Sequence, residues 1–156
     1  MSSITLAGVT KHYGSVQVIQ TFNGVIGDGE FVTLLGPSGC GKTTMLRMIA
    51  GFEKPSSGEI RIGDAVVSGP GQFIPPNLRG IGMVFQTYAV WPHMNVFDNV
   101  AYPLKIQGKP RAEIKSQVED MLEAMHLGPY AKRLPCELSG GQQQRVALGR
   151  ALVSNQ

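Results

Sequence analysis

Residues 36–43, GPSGCGKT, combine glycines, a lysine and a hydroxyl side chain at spacings that suit the binding of a polyphosphate. They match the pattern G-x-x-x-x-G-K-[ST], in which the glycines let the backbone wrap around an anion. The backbone N–H groups, with the start of the following helix, would turn toward the β-phosphate and present partial positive charge to it. The segment therefore predicts a phosphate-binding loop (P-loop) for a nucleotide. Its members are Gly36, Pro37, Ser38, Gly39, Cys40, Gly41, Lys42 and Thr43.

The side chains at the end of this loop predict separate roles. Lys42 would place a full positive charge between the β- and γ-phosphates, and the hydroxyl of Thr43 would bind Mg²⁺. Thr44 would donate a hydrogen bond to the α-phosphate. Cys40 is either a thiol activated by the surrounding positive charge or a passive small residue. We expect the magnesium ion to arrive with the nucleotide, as Mg-ATP.

Regular structure on both sides of the loop is needed to hold it. Residues 31–35, FVTLL, form a compact apolar run that predicts a strand buried on both faces of a parallel sheet. Residues 44–50 have helical apolar spacing, and Gly51 is a suitable C-cap. The alternative is a plain glycine-rich turn. The order of strand, loop and helix favours the P-loop.

The rest of the chain predicts a mixture of strands and helices. Strands are expected at residues 4–9, 16–19, 58–68 and 81–85, with the first two forming a hairpin around Gly14 and Ser15. Residues 69–80 read as a Pro/Gly-rich loop. Helices are expected at residues 96–106 after an Asn95 N-cap, from Pro110 to about Gly128, and from Ser139 to the C-terminus.

Bulk properties exclude several classes of protein. The 156 residues suit one domain, and the net charge of +3 with scattered Lys and Arg gives no case for nucleic-acid binding. No apolar run has the length of a bilayer-spanning helix and no signal peptide is recognisable, so a cytoplasmic protein is expected. The two cysteines, Cys40 and Cys136, lack CxxC or CxxH spacing, which argues against a disulfide scaffold or a zinc site.

A second motif, LSGGQ at residues 138–142, resembles the signature of ATP-binding-cassette (ABC) ATPases, and the QQRVALGRAL that follows it is also typical of them. The resemblance implies a head-to-tail dimer in which the signature of one subunit covers the γ-phosphate held by the P-loop of the other. A capped helix after a loop would explain two of the residues but not the paired glycines, which weaken a first turn. The signature residues are Leu138, Ser139, Gly140, Gly141 and Gln142.

The resemblance assigns residues outside these two motifs. Gln86 stands where the family has the glutamine that touches Mg²⁺ and the attacking water. Tyr13 stands where the family has an aromatic ring that stacks on adenine, with a plain hairpin surface residue as the alternative. Trp91 either faces a membrane partner or simply packs against its neighbours.

The implied fold is an α/β P-loop NTPase of the ABC ATPase type, with an antiparallel β subdomain and a helical subdomain, incomplete at the C-terminus. The expected division is a β subdomain plus P-loop core over residues 1–86, a helical subdomain over 87–140, and a signature helix over 139–156. Residues 85–104 look most similar to bacterial importers of ferric iron, polyamines or organophosphonates. The implied partners are a second ABC ATPase subunit or a homodimer mate, transmembrane permease subunits and, indirectly, a solute-binding protein. The implied location is the cytoplasmic face of the inner membrane.

Two catalytic features of the family have no counterpart in the sequence. An apolar strand ending in Asp-Glu should follow the signature helix, and a switch histidine should come later, but His12, His93 and His126 all precede the signature. Hydrolysis needs an oriented water and a carboxylate beside it, so we expect the chain to bind ATP but to hydrolyse it poorly. Two functions remain open, an ATP-driven import subunit and a nucleotide-holding module without turnover. A soluble ABC ATPase acting on DNA or ribosomes is disfavoured by the importer-like stretch.

Overall fold

The computed structural model describes residues 2–154, which divide into two compact units, one up to Ile81 and one from Gly82 onward. The first unit is built on a five-stranded antiparallel sheet with the order β2-β1-β3-β4-β5. Its strands are β1 (Ile4–Tyr13), β2 (Val16–Ile26), β3 (Ser57–Ile62), β4 (Ala65–Gly69) and β5 (Gln72–Phe73), and its helix is α1 (Lys42–Ala50). A short 3₁₀ helix at Pro76–Leu78 follows β5.

The hairpin predicted at the start of the chain is confirmed. Tyr13 pairs with Val16 across the two-residue turn, where Gly14 has a φ of 59°. Such left-handed backbone at a two-residue turn matches the twist of the flanking strands. Both strands are longer than predicted, and register shifts break the β1–β2 pairing between Leu6 and His12.

The predicted helix after the P-loop is also confirmed, although it begins earlier, at Lys42. Gly51 ends it with a φ of 85°, in the left-handed conformation that favours glycine at a helix C-terminus. The buried side chains of α1 join those of the sheet in one apolar cluster, which anchors the helix through its inner face. The buried members are Leu6, Val9, Ile19, Met45, Met48, Ile49, Ile60 and Val67.

The prediction of strands at residues 31–35 and 81–85 is wrong. Neither segment is regular structure, and Phe31 and Leu35 are 94% and 89% exposed. A strand buried on both faces needs hydrogen-bonded neighbours and a covering layer on each side. The strand pairing within residues 2–154 is antiparallel and confined to the five strands above, so these apolar runs find no partner there. The apolar composition predicted the strands, but pairing decides whether they form.

Helices make up the second unit. They are α2 (Val96–Ile106), α3 (Arg111–Ala124) and α4 (Gly140–Leu152), with short 3₁₀ helices at Gly128–Tyr130 and Pro135–Glu137. The predicted Asn95 cap is confirmed, since its side chain accepts a hydrogen bond of 2.7 Å from the Asp98 N–H. Pro110 takes the N-cap position of α3 instead of its first turn. The last two residues of the helix predicted after Ser139 lie outside the described residues.

One apolar core holds these helices together. Its buried members are Val96, Val100, Ala101, Leu104, Ile114, Val118, Leu122, Leu127, Leu138, Val146 and Val153. Asn99 is fully buried beside it, accepts from the Trp91 N–H at 2.9 Å and donates to the Trp91 carbonyl at 3.1 Å. This side chain therefore ties the segment around Trp91 to α2. None of the helices within residues 2–154 is long and apolar enough to cross a lipid bilayer.

Arg79 anchors the C-terminal end of α1 in the first unit. It is 5% exposed, and its guanidinium donates to the carbonyls of Met48 and Ile49, both at 2.9 Å. The guanidinium also donates to three acceptors on β4 and just after β5, namely the Val67 carbonyl, the Ser68 Oγ and the Ile74 carbonyl. Burial lowers the pKa of Arg79, which nevertheless stays charged. Cationic donors at the last carbonyls of a helix are electrostatically favourable, so Arg79 stabilises the end of the P-loop helix that Gly51 forms.

We expect Arg79→Met to lower the free energy of unfolding by about 3–5 kcal/mol, because it leaves several buried acceptors without donors. Urea unfolding followed by circular dichroism measures this change. Arg61→Met is the matched control, because Arg61 lies on β3 with its side chain 41% exposed in an ion pair with Glu59. That control should change stability by no more than about 0.5 kcal/mol. Similar small changes for both variants would contradict the anchoring role of Arg79.

Candidate functional site

The P-loop folds tightly onto itself and onto β2. Gly36, Gly39 and Gly41 have φ values of 155°, 83° and 94°, which side-chain-bearing residues rarely adopt. A Cβ on Gly36 would lie 2.6 Å from the Cys40 Sγ. A Cβ on Gly41 would lie 3.0 Å from Ile19 Cγ1 and 3.2 Å from the Val18 carbonyl oxygen. Backbone conformation thus favours glycine at all three positions, and close approach requires it at Gly36 and Gly41 as well.

The side chain of Lys42 folds back onto the carbonyl groups of the P-loop. Its Nζ donates to the Gly36 carbonyl at 2.6 Å and to the Pro37 carbonyl at 2.8 Å, and lies 3.5 Å from the Cys40 Sγ. The ammonium group therefore sits within the curve of the loop backbone. From there it is available to an anion that the loop encloses.

The N-terminus of α1 is free to bind a ligand. Gly41 is its N-cap, no side chain of residues 2–154 caps it, and its first turn carries no acidic residue. The first N–H groups of a helix have no partner within the helix and attract negative charge. Thr43, on this first turn, is exposed, and Thr44 is half-buried. The predicted phosphate-binding residues are therefore contiguous around one helix terminus.

A cavity of about 460 Å³ lies between β2 and the P-loop. Its volume falls within the range of about 300–1,000 Å³ that is usual for small-molecule sites. Val18 and Ile19 form part of its wall. The sequence predicted them as strand residues but not as site residues, because only their approach to Gly41 in the folded chain gives them a role there. The lining residues are Gln17, Val18, Ile19, Gln20, Thr21, Phe22, Leu34, Leu35, Cys40, Gly41, Lys42 and Met45.

Tyr13 belongs to the same hairpin that forms this wall. It ends β1 at the turn into β2, and its side chain is 46% exposed. The Nζ of Lys11 lies 4.7 Å from the centroid of its ring. The structure thus joins the strand that carries the predicted base-stacking residue to the strand that contacts the P-loop. Lys11 was missed in the sequence because a single lysine in a strand carries no signal of burial.

Gln86 lies in the second unit, in a turn at residues 86–87 with its side chain exposed. Arg150 of α4 fixes the segment that follows it, donating to the Ala89 carbonyl at 2.8 Å and to the Tyr88 carbonyl at 3.2 Å. The same guanidinium lies 4.4 Å from the centroid of the Trp91 ring, which also contacts Tyr102. The signature helix and the segment after Gln86 are therefore coupled within this unit.

The signature motif forms the N-terminus of α4. Ser139 Oγ accepts from the Gln142 N–H at 3.3 Å, and Gln142 Oε1 accepts from the Ser139 N–H at 2.8 Å, which confirms the predicted capping box. Leu138 is buried, whereas Ser139, Gly140 and Gly141 are exposed. A Cβ on either glycine would have no neighbour within 4 Å among the described residues. The two glycines are thus uncovered on this side, and as first-turn residues their N–H groups have no partner within the helix.

Comparison with known proteins gives the same family for sequence and structure. The sequence profile described as ABC transporter matches residues 19–156. The backbone is similar to a dimeric ATP-binding cassette solved in a post-hydrolysis state with ADP and Pi, with a TM-score of 0.83 and 34% identity over 97% of this chain and 70% of that chain. The predicted fold, an α/β P-loop ATPase of the ABC type with an antiparallel β subdomain and a helical subdomain, is confirmed.

Curated relatives include ATP-binding proteins of several importers. The chain is 54% identical over 155 residues to the trehalose/maltose import ATP-binding protein MalK of Thermococcus litoralis, covering 98% of this chain and 42% of that protein. It is 51% identical over 153 residues to the sn-glycerol-3-phosphate import ATP-binding protein UgpC of Ralstonia nicotianae, covering 98% and 41%. It is 51% identical over 150 residues to the spermidine/putrescine import ATP-binding protein PotA of Marinobacter nauticus, covering 96% and 39%.

The chain spans about two fifths of the length of these curated relatives. The polyamine protein falls in one of the expected solute groups, while the other two act on a sugar and a phosphorylated alcohol by name. The profile match over most of the chain and the two motifs, each at a helix N-terminus, lead to one conclusion: the chain belongs to the ABC transporter family.

Proposed function

We propose that the chain is the ATP-binding part of an import subunit that couples ATP binding and hydrolysis to solute uptake across the bacterial inner membrane. The observation that carries the proposal is the uncapped N-terminus of α1, which opens with Lys42 beside a cavity of about 460 Å³. A glycine loop, an ammonium group and unpartnered helix amides together make a site for a triphosphate. The names of the curated relatives support import as the purpose of the site.

On binding a triphosphate, Lys42 would exchange its hydrogen bonds to loop carbonyls for stronger bonds to phosphate oxygens. Lys42 now donates to the carbonyls of Gly36 and Pro37, and bonds from an ammonium to phosphate oxygens are charge-assisted. The exposed hydroxyl of Thr43 and the amide oxygen of Gln86 are hard ligands of the kind that Mg²⁺ takes in addition to phosphate oxygens. Thr44 would bind the α-phosphate, and Tyr13 would stack on the base.

The signature residues would act on a second nucleotide. The Ser139 and Gln142 capping box leaves the amides of Gly140 and Gly141 to an outside anion. We infer that this anion is the γ-phosphate held by the P-loop of a second ABC subunit, in a homodimer or with a paired subunit. The similarity to a dimeric cassette with ADP and Pi supports this arrangement. The remaining partners would be permease subunits at the cytoplasmic face of the membrane and, through them, a solute-binding protein.

A second candidate function is a module that holds nucleotide without turnover. Among the described residues that line the cavity there is no carboxylate. Hydrolysis requires a positioned general base for the attacking water. The two candidates share ATP binding, and only the second excludes phosphate release by the chain itself.

Lys42→Ala should weaken binding of Mg-ATP by roughly 10- to 150-fold, because it removes bonds between a full charge and the phosphates. Isothermal titration of the 156-residue chain measures the dissociation constant. Lys132→Ala removes the same charge from an exposed position of the second unit and should leave the affinity unchanged. Equal affinities for the Lys42→Ala variant and the unaltered chain would contradict the assigned phosphate site.

Steady-state phosphate release tests whether the chain is a module without turnover. We expect the chain with Mg-ATP to release no more phosphate than its Lys42→Ala variant, since the cavity lining supplies no general base. A coupled colorimetric assay measures the rate. Turnover that disappears in Lys42→Ala would reject the inert module and support an ATPase in the chain itself.

Cys40 should become protected from a maleimide reagent when Mg-ATP is bound, because it lies on the cavity wall inside the P-loop. Cys136 is an internal control, since it is also free and exposed but lies in the second unit. Mass spectrometry of the two labelled peptides gives both rates in one sample. Unchanged labelling of Cys40 would count against nucleotide binding at the P-loop, whereas loss at both cysteines would indicate that subunits also pair, since Cys136 lies two residues before the signature motif.

A further inference from the structure

Lys11 makes an unusual set of contacts for a strand lysine. It is 8% exposed, and its Nζ donates to Glu53 Oε1 at 2.6 Å and to the Lys54 carbonyl at 2.7 Å. The same ammonium lies 4.7 Å from the centroid of the Tyr13 ring. Lysines are almost never this buried unless they are paired. One cation thus joins a carboxylate, a carbonyl and an aromatic face.

Glu53 connects this cation to the P-loop helix. Its backbone N–H donates to the Arg47 carbonyl at 3.2 Å, in the last turn of α1. The hydrogen bond from Lys11 is the main cause that holds the pKa of Glu53 below its ordinary value of 4.5, and hydrogen bonding with Tyr13 lowers that pKa further. Glu53 is therefore ionised at neutral pH. A path of contacts runs from α1 through Glu53 and Lys11 to the ring of Tyr13.

Backbone and hydroxyl hydrogen bonds hold the same segment in place without Lys11. The Ser56 N–H donates to the Thr10 carbonyl at 2.9 Å, and the Ser56 Oγ accepts from the His12 N–H at 2.9 Å. The hydroxyls of Thr10 and Ser57 add a bond of 2.7 Å. The chain after α1 is thus fastened along β1 by several bonds. Lys11 adds its own bonds to Glu53 and the Lys54 carbonyl, and it alone among these groups carries a cation to one face of the Tyr13 ring.

We propose that Lys11, held by Glu53, is a positioning residue that fixes the ring of Tyr13 so that its other face can stack on the base of the bound nucleotide. The inference rests on the proposed function, because it takes Tyr13 as the base-stacking residue. A cation over an aromatic face attracts it and restricts its rotation. A ring held in advance loses less freedom when a base stacks on it. Lys11 thereby acts on the base and not on the phosphates.

The test compares two ligands that differ only by the nucleoside. Lys11→Met keeps the length of the side chain and removes its charge. It should weaken Mg-ATP binding by roughly 3- to 30-fold, the range that a cation–π contact supports, and leave the affinity for inorganic tripolyphosphate with Mg²⁺ unchanged. Lys11→Arg keeps a cation over the ring and should restore most of the ATP affinity. Equal losses for both ligands, or no loss for ATP, would overturn the proposal.

If Lys11 acts through the Tyr13 ring, substitutions of Tyr13 and Lys11 should affect ATP binding through the same interaction. Tyr13→Ala should weaken ATP binding but not tripolyphosphate binding, and adding Lys11→Met to it should cause no further loss. Independent, additive losses would show that Lys11 does not act through the ring. Arg61→Met breaks the Arg61–Glu59 ion pair on β3 of the same sheet and serves as the control, with both affinities unchanged.

The circular dichroism of Lys11→Met and the ligand binding of the unaltered chain distinguish failure of this proposal from misfolding and from failure of the proposed function. If Lys11→Met reduces the far-ultraviolet circular dichroism of the chain, Glu53→Gln takes its place, and it must show the same ATP-selective loss for the proposal to stand. If the unaltered chain binds neither ATP nor tripolyphosphate, the proposed function itself fails. If it binds tripolyphosphate as tightly as ATP, the phosphate site stands and only the role of Tyr13 and Lys11 is overturned.

Discussion

The candidate site depends on the close approach of Gly41 to β2. A side chain at this position would meet Ile19 and the Val18 carbonyl at 3.0–3.2 Å, so only glycine lets the P-loop lie against the hairpin. That approach joins the start of α1 to the strand beyond Tyr13. Arg79 holds the other end of α1 through the carbonyls of Met48 and Ile49. The helix is thereby fixed at both ends, and the amides at its N-terminus, which we propose to bind phosphate, have a defined place.

The two motifs use helix N-termini in different ways. α1 starts after Gly41 without a side-chain cap within the described chain, so its first amides are left for a ligand that the loop encloses. α4 starts with a capping box in which Ser139 satisfies the Gln142 N–H, while Gly140 and Gly141 remain exposed. In the proposed function, the first arrangement would surround an anion and the second would present amides to an anion that comes from outside. This difference suits a nucleotide shared between two subunits.

Local chemistry made much of the fold predictable. The hairpin around Gly14, the Asn95 cap of α2 and the Ser139 capping box depend on residues a few positions apart, and all three formed as predicted. The apolar run at residues 31–35 was misread, because a strand forms only when another strand pairs with it. Its side chains include two of the most exposed apolar residues of the described chain, Phe31 and Leu35. Hydrophobicity indicated burial, but strand pairing depends on residues distant in the sequence, and none of the five described strands pairs with this run.

The sequence by itself determined the chemistry of the candidate site. The P-loop and signature motifs each depend on the order of neighbouring residues, because consecutive backbone amides and a helix terminus act as one unit. Only the tertiary structure decided the roles of Lys11 and Arg79, which are 42 and 31 residues from their partners Glu53 and Met48. A cation becomes a buried anchor through the groups that surround it in space, and those groups are brought together only when the sheet and α1 pack.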